Sequence, residues 1–183
     1  REVVMQEEIL KDINNHYLLL LTKSDLEKKI KEDNEKTYRK MQKNVKYKSN
    51  DFSLNIKLQE IEKKTEMISQ RIINSFKYMT KVESSSLQSV LETEIESYDR
   101  QTFANSQKIE LLTMEIEKNK VIISKANASK QKSKKYINNN LHLFVSELHD
   151  VQEKLFIKMN LYKEYHDVLS DIFADHKTKK LTN

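Results

Sequence analysis

Residues 91–126 read LETEIESYDRQTFANSQKIELLTMEIEKNKVIISKA, and one line of positions through them decides the fold. Leu91, Ile95, Tyr98, Thr102, Asn105, Ile109, Leu112, Ile116, Asn119, Ile123 and Ala126 follow one another at alternating spacings of four and three. A helix turns once in about 3.6 residues, so this spacing keeps the whole set on one side of a helix, whereas a strand would need a period of two. A narrow apolar line of this kind is the signature of helices that lie along other helices.

The same spacing continues on both sides. Upstream it runs through Leu54, Leu58, Ile61, Thr65, Ile68, Ile72, Ser75, Met79 and Val82. Downstream it runs through Leu141, Phe144, Leu148, Val151, Leu155, Lys158, Tyr162, Tyr165, Leu169 and Ile172. The N-terminal part is less regular, with Ile9, Leu10, Ile13, Tyr17, Leu20 and Leu21 followed by a shifted set at Leu26, Ile30, Thr37, Met41 and Val45. Leu18 and Leu19 lie off the first line, and Leu143, Val145, Phe156, Ile157, Leu161, Val168 and Phe173 lie off the last. Wider apolar faces belong to helices packed against more than one neighbour.

The expectation is therefore an all-α chain of long helices forming elongated coiled coils, with the ends able to fold back as an antiparallel helical bundle. As one straight rod it would reach roughly 270 Å. Four segments are expected: 1–48, 49–83, 84–128 and 129–183. The first carries a candidate break near Ser24, where Ser24-Asp25-Leu26-Glu27 has capping-box spacing. Further register shifts fall at Ser49-Asn50-Asp51, at Ser84-Ser85-Ser86 and at Asn127 through Ser133, as turns or as stutters inside continuous helix.

Composition points the same way. The 183 residues contain no glycine, proline, cysteine or tryptophan, where an average chain would have roughly a dozen glycines and about nine prolines. Glycine supplies positive φ in tight turns and proline presets turn geometry, so the strand-rich folds that depend on many turns are excluded. Without glycine there is no Walker loop, dinucleotide fingerprint, nucleophile elbow or EF-hand turn. His142 and His149 are seven apart, His16, His166 and His176 are scattered, and no zinc-ligand spacing occurs. A rod offers no pocket to perturb a carboxylate, so neither an enzyme nor a cofactor is expected.

The absence of cysteine fits a reducing compartment, hence an intracellular, cytoplasmic or cytoskeletal setting. The longest aliphatic run, Leu18 to Leu21, is far below the roughly 20 residues a spanning helix needs. Residue 1 is arginine and no signal-like segment opens the chain, which suggests a piece of a longer protein. Asn127-Ala128-Ser129 matches the N-glycosylation tripeptide, which matters only for a secreted chain.

Charge is unevenly placed. Lys36, Arg39, Lys40, Lys43, Lys46 and Lys48 fall in residues 36–50 with no acid, and Lys118, Lys120, Lys125, Lys130, Lys132, Lys134 and Lys135 in residues 118–146, again with none. Outside these 13 cations the chain holds 20 against 28 acids, so it is acidic with two basic blocks. Such blocks favour association with an acidic filament surface or an anionic membrane. Tyr38, Tyr47 and Tyr136 accompany them, but 29 of the 33 cations are lysine, which argues against base-reading nucleic-acid contacts. Pairing with acids of a neighbouring helix, such as Glu92 to Glu96, is the structural alternative.

The function expected is a structural scaffold in a cytoskeletal, axonemal, centrosomal or kinetochore-type assembly, homo- or hetero-oligomeric. Partner helices would dock on Leu58, Ile61, Ile68, Ile72, Ile95, Ile109, Leu112, Ile116, Leu141, Phe144, Leu148, Val151, Leu155, Leu169 and Ile172. Asn105, Asn119 and Lys158, polar positions in the line, would set register. Two other readings stay open. One is a membrane-surface module similar in architecture to BAR-type dimers, and the other a helical surface antigen.

Overall fold

The computed structural model describes residues 2–43 and 52–182. The chain is all-helical: among the described residues 96% are in four helices and none is in a strand. Helix α1 is Glu2–Gln42, α2 Ser53–Lys77, α3 Lys81–Lys125 and α4 Ala128–Thr182. None of the described helices is long and apolar enough to cross a membrane.

Where one helix gives way to the next, backbone turns close the end and polar side chains cap the following start. At the end of α2 the Tyr78 and Met79 N–H groups turn back to the Ser75 and Phe76 carbonyls, at 3.3 and 3.2 Å. Helix α3 then starts on Thr80, whose Oγ1 accepts the Glu83 N–H at 3.2 Å while its carbonyl accepts the Ser84 N–H at 2.9 Å. Thr80-Lys81-Val82-Glu83 thus has the capping-box spacing and sits at a helix start. Between α3 and α4 only Ala126 and Asn127 intervene. Asn127 caps α4, its Oδ1 accepting the Lys130 N–H at 3.3 Å and its carbonyl the Gln131 N–H at 2.9 Å.

Helix α1 runs unbroken through Ser24. What changes there is phase: the covered positions pass from Ile9, Ile13, His16, Leu20 and Lys23 to Leu26, Ile30, Asp33 and Thr37, with one spacing of three where four is due. That is a stammer-type shift, a three-residue insertion in the pattern, within a continuous helix. Ser84, Ser85 and Ser86 also lie inside a helix, in the opening turns of α3. Ser84 is buried and the Ser86 hydroxyl accepts a 2.8 Å hydrogen bond from Gln6 Nε2, so small side chains here admit a close neighbour. Ser49-Asn50-Asp51 and Val45 lie outside the described residues.

The chain divides into two compact units, Arg1–Val90 with Glu164–Asn183, and Leu91–Lys163. In the first, α1 and α2 run antiparallel: Asp12 of α1 meets Arg71 of α2 at 2.7 Å, and Lys23 meets Glu62 at 4.0 Å, so one index rises as the other falls. Residues 81–90 of α3 and the last part of α4 complete this core. Ile9, Ile13, Ile72, Phe76, Leu87 and Leu169 are its fully buried side chains, each contributing about 1.5–3 kcal/mol by leaving water. Tyr165 of α4 touches two helices at once, edge-on to Phe76 of α2 at 6.0 Å and hydrogen-bonded through its hydroxyl to His16 Nδ1 of α1 at 2.6 Å.

His16 is buried, and burial lowers its pKa below the ordinary 6.5. Burial pushes the Tyr165 hydroxyl the other way, up to about 12, so it stays protonated and can donate to the neutral imidazole. Asp12, one turn away on α1, is held by two hydrogen bonds from Arg71. The unfolded chain therefore binds the His16 proton more readily than the folded one. The stabilisation is complete above pH 6.5 and lost as pH falls through the folded pKa. Urea unfolding at pH 7.5 and 5.5 should give a lower midpoint at the acidic value, and the difference should shrink in His16→Gln; equal differences in both proteins would refute the assignment.

The second unit is an antiparallel pair formed by α3 and α4. Asn119 pairs with Asn138, Thr102 and Ser106 with Gln152, and Tyr98 with Tyr162, again one index rising as the other falls. Every position of the α3 line from Tyr98 to Ala126 is buried or half-buried, and every other α3 residue from Asp99 to Lys125 is exposed. The covered face here is as narrow as the period implies.

Candidate interaction surface

Three kinds of side chain close the α3–α4 seam. At its far end the Tyr98 and Tyr162 rings meet edge-on, centroids 5.4 Å apart at 78°. Both hydroxyls are raised above the ordinary tyrosine pKa, Tyr98 by burial first and then by Tyr162 and Glu94. The Lys158 ammonium lies 5.1 Å from the centre of the Tyr98 ring, a cation–π contact that lets a lysine occupy a half-buried position. Midway, Gln152 Nε2 donates to the Thr102 carbonyl at 3.0 Å and to Ser106 Oγ at 2.8 Å. Nearer the turn, Asn119 Nδ2 donates to Asn138 Oδ1 at 2.8 Å, and Asn138 Nδ2 to the Ile116 carbonyl at 3.3 Å. Asn105 is half-buried on the same line.

The positions read from sequence as a partner-helix surface have different fates. In the first unit Ile68, Ile72 and Leu169 are buried, Leu58, Ile61 and Ile172 half-buried. In the second, Ile116 is buried, and Ile95, Ile109, Leu112, Leu141, Leu148 and Leu155 are half-buried. Phe144 and Val151 are 48% and 46% exposed; their places against α3 are taken by Val145 and Gln152. With Ile137, 43% exposed, these two form a line at intervals of seven along α4, on the flank of the seam. On α3, Phe103, Leu111, Met114 and Val121 are more than half exposed. Val82, read as the end of the α2 line, is also exposed.

Asn138, Gln152 and His16 carry polar contacts in the cores and were not singled out by periodicity. The signal for the first two lies in the spacing of α4 itself. Gln131, Lys134, Asn138, Leu141, Val145, Leu148, Gln152, Leu155, Met159 and Tyr162 alternate three and four and are all covered, but this line contains four polar residues and loses to the greasier one on hydrophobicity.

The two basic blocks belong to different units. Lys36, Arg39, Lys40 and Lys43 are exposed on the last turns of α1 and just beyond, while Lys46 and Lys48 lie outside the described residues. The second block is gathered by the α3–α4 turn. Lys118, Lys120 and Lys125 end α3, and Lys130, Lys132, Lys134 and Lys135 begin α4; all but the half-buried Lys134 are exposed. Lys120 pairs with Glu117 on its own helix at 3.0 Å. Tyr136, 70% exposed, stands beside the block.

Depressions lined by Met67, Arg71 and Tyr78 on α2, and by Ile30, Tyr38 and Arg39 on α1, are furrows open to solvent. Among the described residues no three His, Asp or Glu side chains are grouped to hold a metal ion. No protein family, curated protein or solved structure matches this chain.

Proposed function

We propose that this chain is a non-enzymatic structural subunit of coiled-coil type, working in a cytoskeletal, axonemal, centrosomal or kinetochore-type assembly. Its helices pair first with one another, which fixes spacing, and then present what pairing leaves uncovered. The observation carrying this reading is the α3–α4 turn, where seven lysines are gathered and no acid follows until residue 147. A dense lysine cluster on stiff helices lowers the energy of approach to an acidic lattice without demanding a shaped pocket. The flank of Ile137, Phe144 and Val151 gives a partner helix an apolar edge to follow.

Co-sedimentation of the full chain with microtubules, an acidic filament, tests the reading. Binding should appear at low salt, weaken as salt screens it, and fall about tenfold or more when Lys130, Lys132, Lys134 and Lys135 are changed to glutamine. Binding that the fourfold change leaves untouched would count against the lysine cluster as the attachment. A membrane-surface role is a second reading, favoured by exposed Tyr136 and half-exposed Ile137 beside the lysines. Sedimentation with phosphatidylserine vesicles and not with filaments would select it.

A further inference from the structure

We infer that the outward face of α3, on the side turned away from α4, docks a second copy of this chain in antiparallel orientation. Phe103, Leu111, Met114 and Val121 are 65, 66, 52 and 56% exposed, and at 100° per residue they fall on one side of the helix, opposite the buried line of Thr102, Ile109 and Ile116. Single exposed apolar residues need no explanation, but a row of four along one helix face is the kind of patch a partner covers. The row is part of a stretch from Glu96 to Lys125, about 45 Å of helix.

Charge identifies the occupant. On this face Glu96 and Asp99 precede the apolar row, and Lys118 and Lys125 fall within it and beyond it; all four are exposed. A face with Glu96 and Asp99 toward one end, Lys118 and Lys125 toward the other, and the apolar row with Glu110 between them complements a reversed copy of itself. In parallel, like charges would face each other. With the two-fold axis between Glu110 and Leu111, Glu96 of one copy meets Lys125 of the other, Phe103 meets Lys118, Gln107 meets Met114, and Leu111 lies beside Glu110, one residue from its own counterpart. Arg100, the cation of the acidic end, falls opposite Val121, where it opposes no like charge. A two-fold arrangement uses the same patch on both copies and closes on itself, giving a dimer and not a fibre. A polyanion fits this face poorly, because Glu96, Asp99, Glu110 and Glu117 would repel it. Lys130, Lys132, Lys134 and Lys135 belong to α4, so this contact is separate from attachment to an acidic surface.

The absence of native cysteine makes the test clean. In the full chain, without filaments or vesicles, Leu111→Cys should form a disulfide-linked dimer on mild oxidation. Lys125→Cys alone should not, and Glu96→Cys combined with Lys125→Cys should. Light scattering should give twice the chain mass for the native protein. Glu96→Lys should raise the dimer dissociation constant about tenfold or more, and adding Lys125→Glu should restore it. These positions are exposed, so circular dichroism should be unchanged in each variant. A monomer throughout the micromolar range, cross-linking of Lys125→Cys as efficient as that of Leu111→Cys, or open-ended polymers would each overturn the inference.

Discussion

Phe76→Ala should lower the thermal midpoint of the first unit by roughly 10–25 °C, because removing a fully buried phenylalanine costs about 3–5 kcal/mol and a unit of this size loses a few degrees for each. Phe76 is 2% exposed, one turn from the fully buried Ile72, and its ring meets Tyr165 edge-on. Three helices therefore lose contact at one point. Truncation leaves a void that stiff neighbouring helices close only in part. Tyr165 would also lose the ring that holds its hydroxyl toward His16. Thermal melting followed by far-UV circular dichroism checks this, and a drop of less than a few degrees would show that the first unit is not organised around this side chain.

The second large effect concerns Asn119 and Asn138, and its sign depends on how many are changed. Asn119→Leu alone should destabilise the second unit by about 1–3 kcal/mol, since Asn138 Oδ1 would stay buried without the donor it now has. Changing both to leucine removes the stranded partner and adds apolar contact, so the double variant should regain most or all of that loss. The Ile116 carbonyl, which accepts from Asn138, still has its helical partner. What the leucines remove is the penalty on sliding one helix along the other, because any apolar residue can then face any other. Urea melts of the two single variants and the double variant form the cycle; additive losses would mean that the amides do not act as a pair.

Much of the helix content was legible because nothing competes with it. With no glycine or proline, and with the three–four period unbroken from Leu91 to Ala126, the covered face of α3 could be read residue by residue. Because serine favours caps, Ser24 reads as a candidate break and Ser84 to Ser86 as either a turn or a stutter; both lie within continuous helix. There, small size and neighbouring contacts decide, and neither is local to the sequence. Thr80 and Glu83, the pair that does start a helix, have the same spacing as Ser24 and Glu27. Which pair is used depends on the chain turning just before it.

Helix α4 shows a different limit. Leu141, Leu148, Leu155 and Tyr162 belong to two possible lines, one adding Phe144 and Val151, the other Val145 and Gln152. Hydrophobicity favours the first, but α3 takes the second because Thr102 and Ser106 have a carbonyl and a hydroxyl for the Gln152 amide. A choice that depends on the facing helix cannot be read from one helix alone. The same choice leaves Phe144 and Val151 on the flank, and it is why the interaction surfaces consist of residues that pairing leaves over.

The account rests on α3 and α4 closing on each other within one chain. Spin labels at Gln107→Cys and Glu147→Cys, both exposed positions, would measure that directly by pulsed electron–electron resonance, with labelled chains diluted in unlabelled protein to isolate distances within one molecule. The two residues are 40 apart in sequence, and paired helix axes are roughly 10 Å apart, so a single narrow distribution below about 30 Å is predicted. Helices running on end to end would place the labels about 60 Å apart, and a distribution centred there would contradict the account.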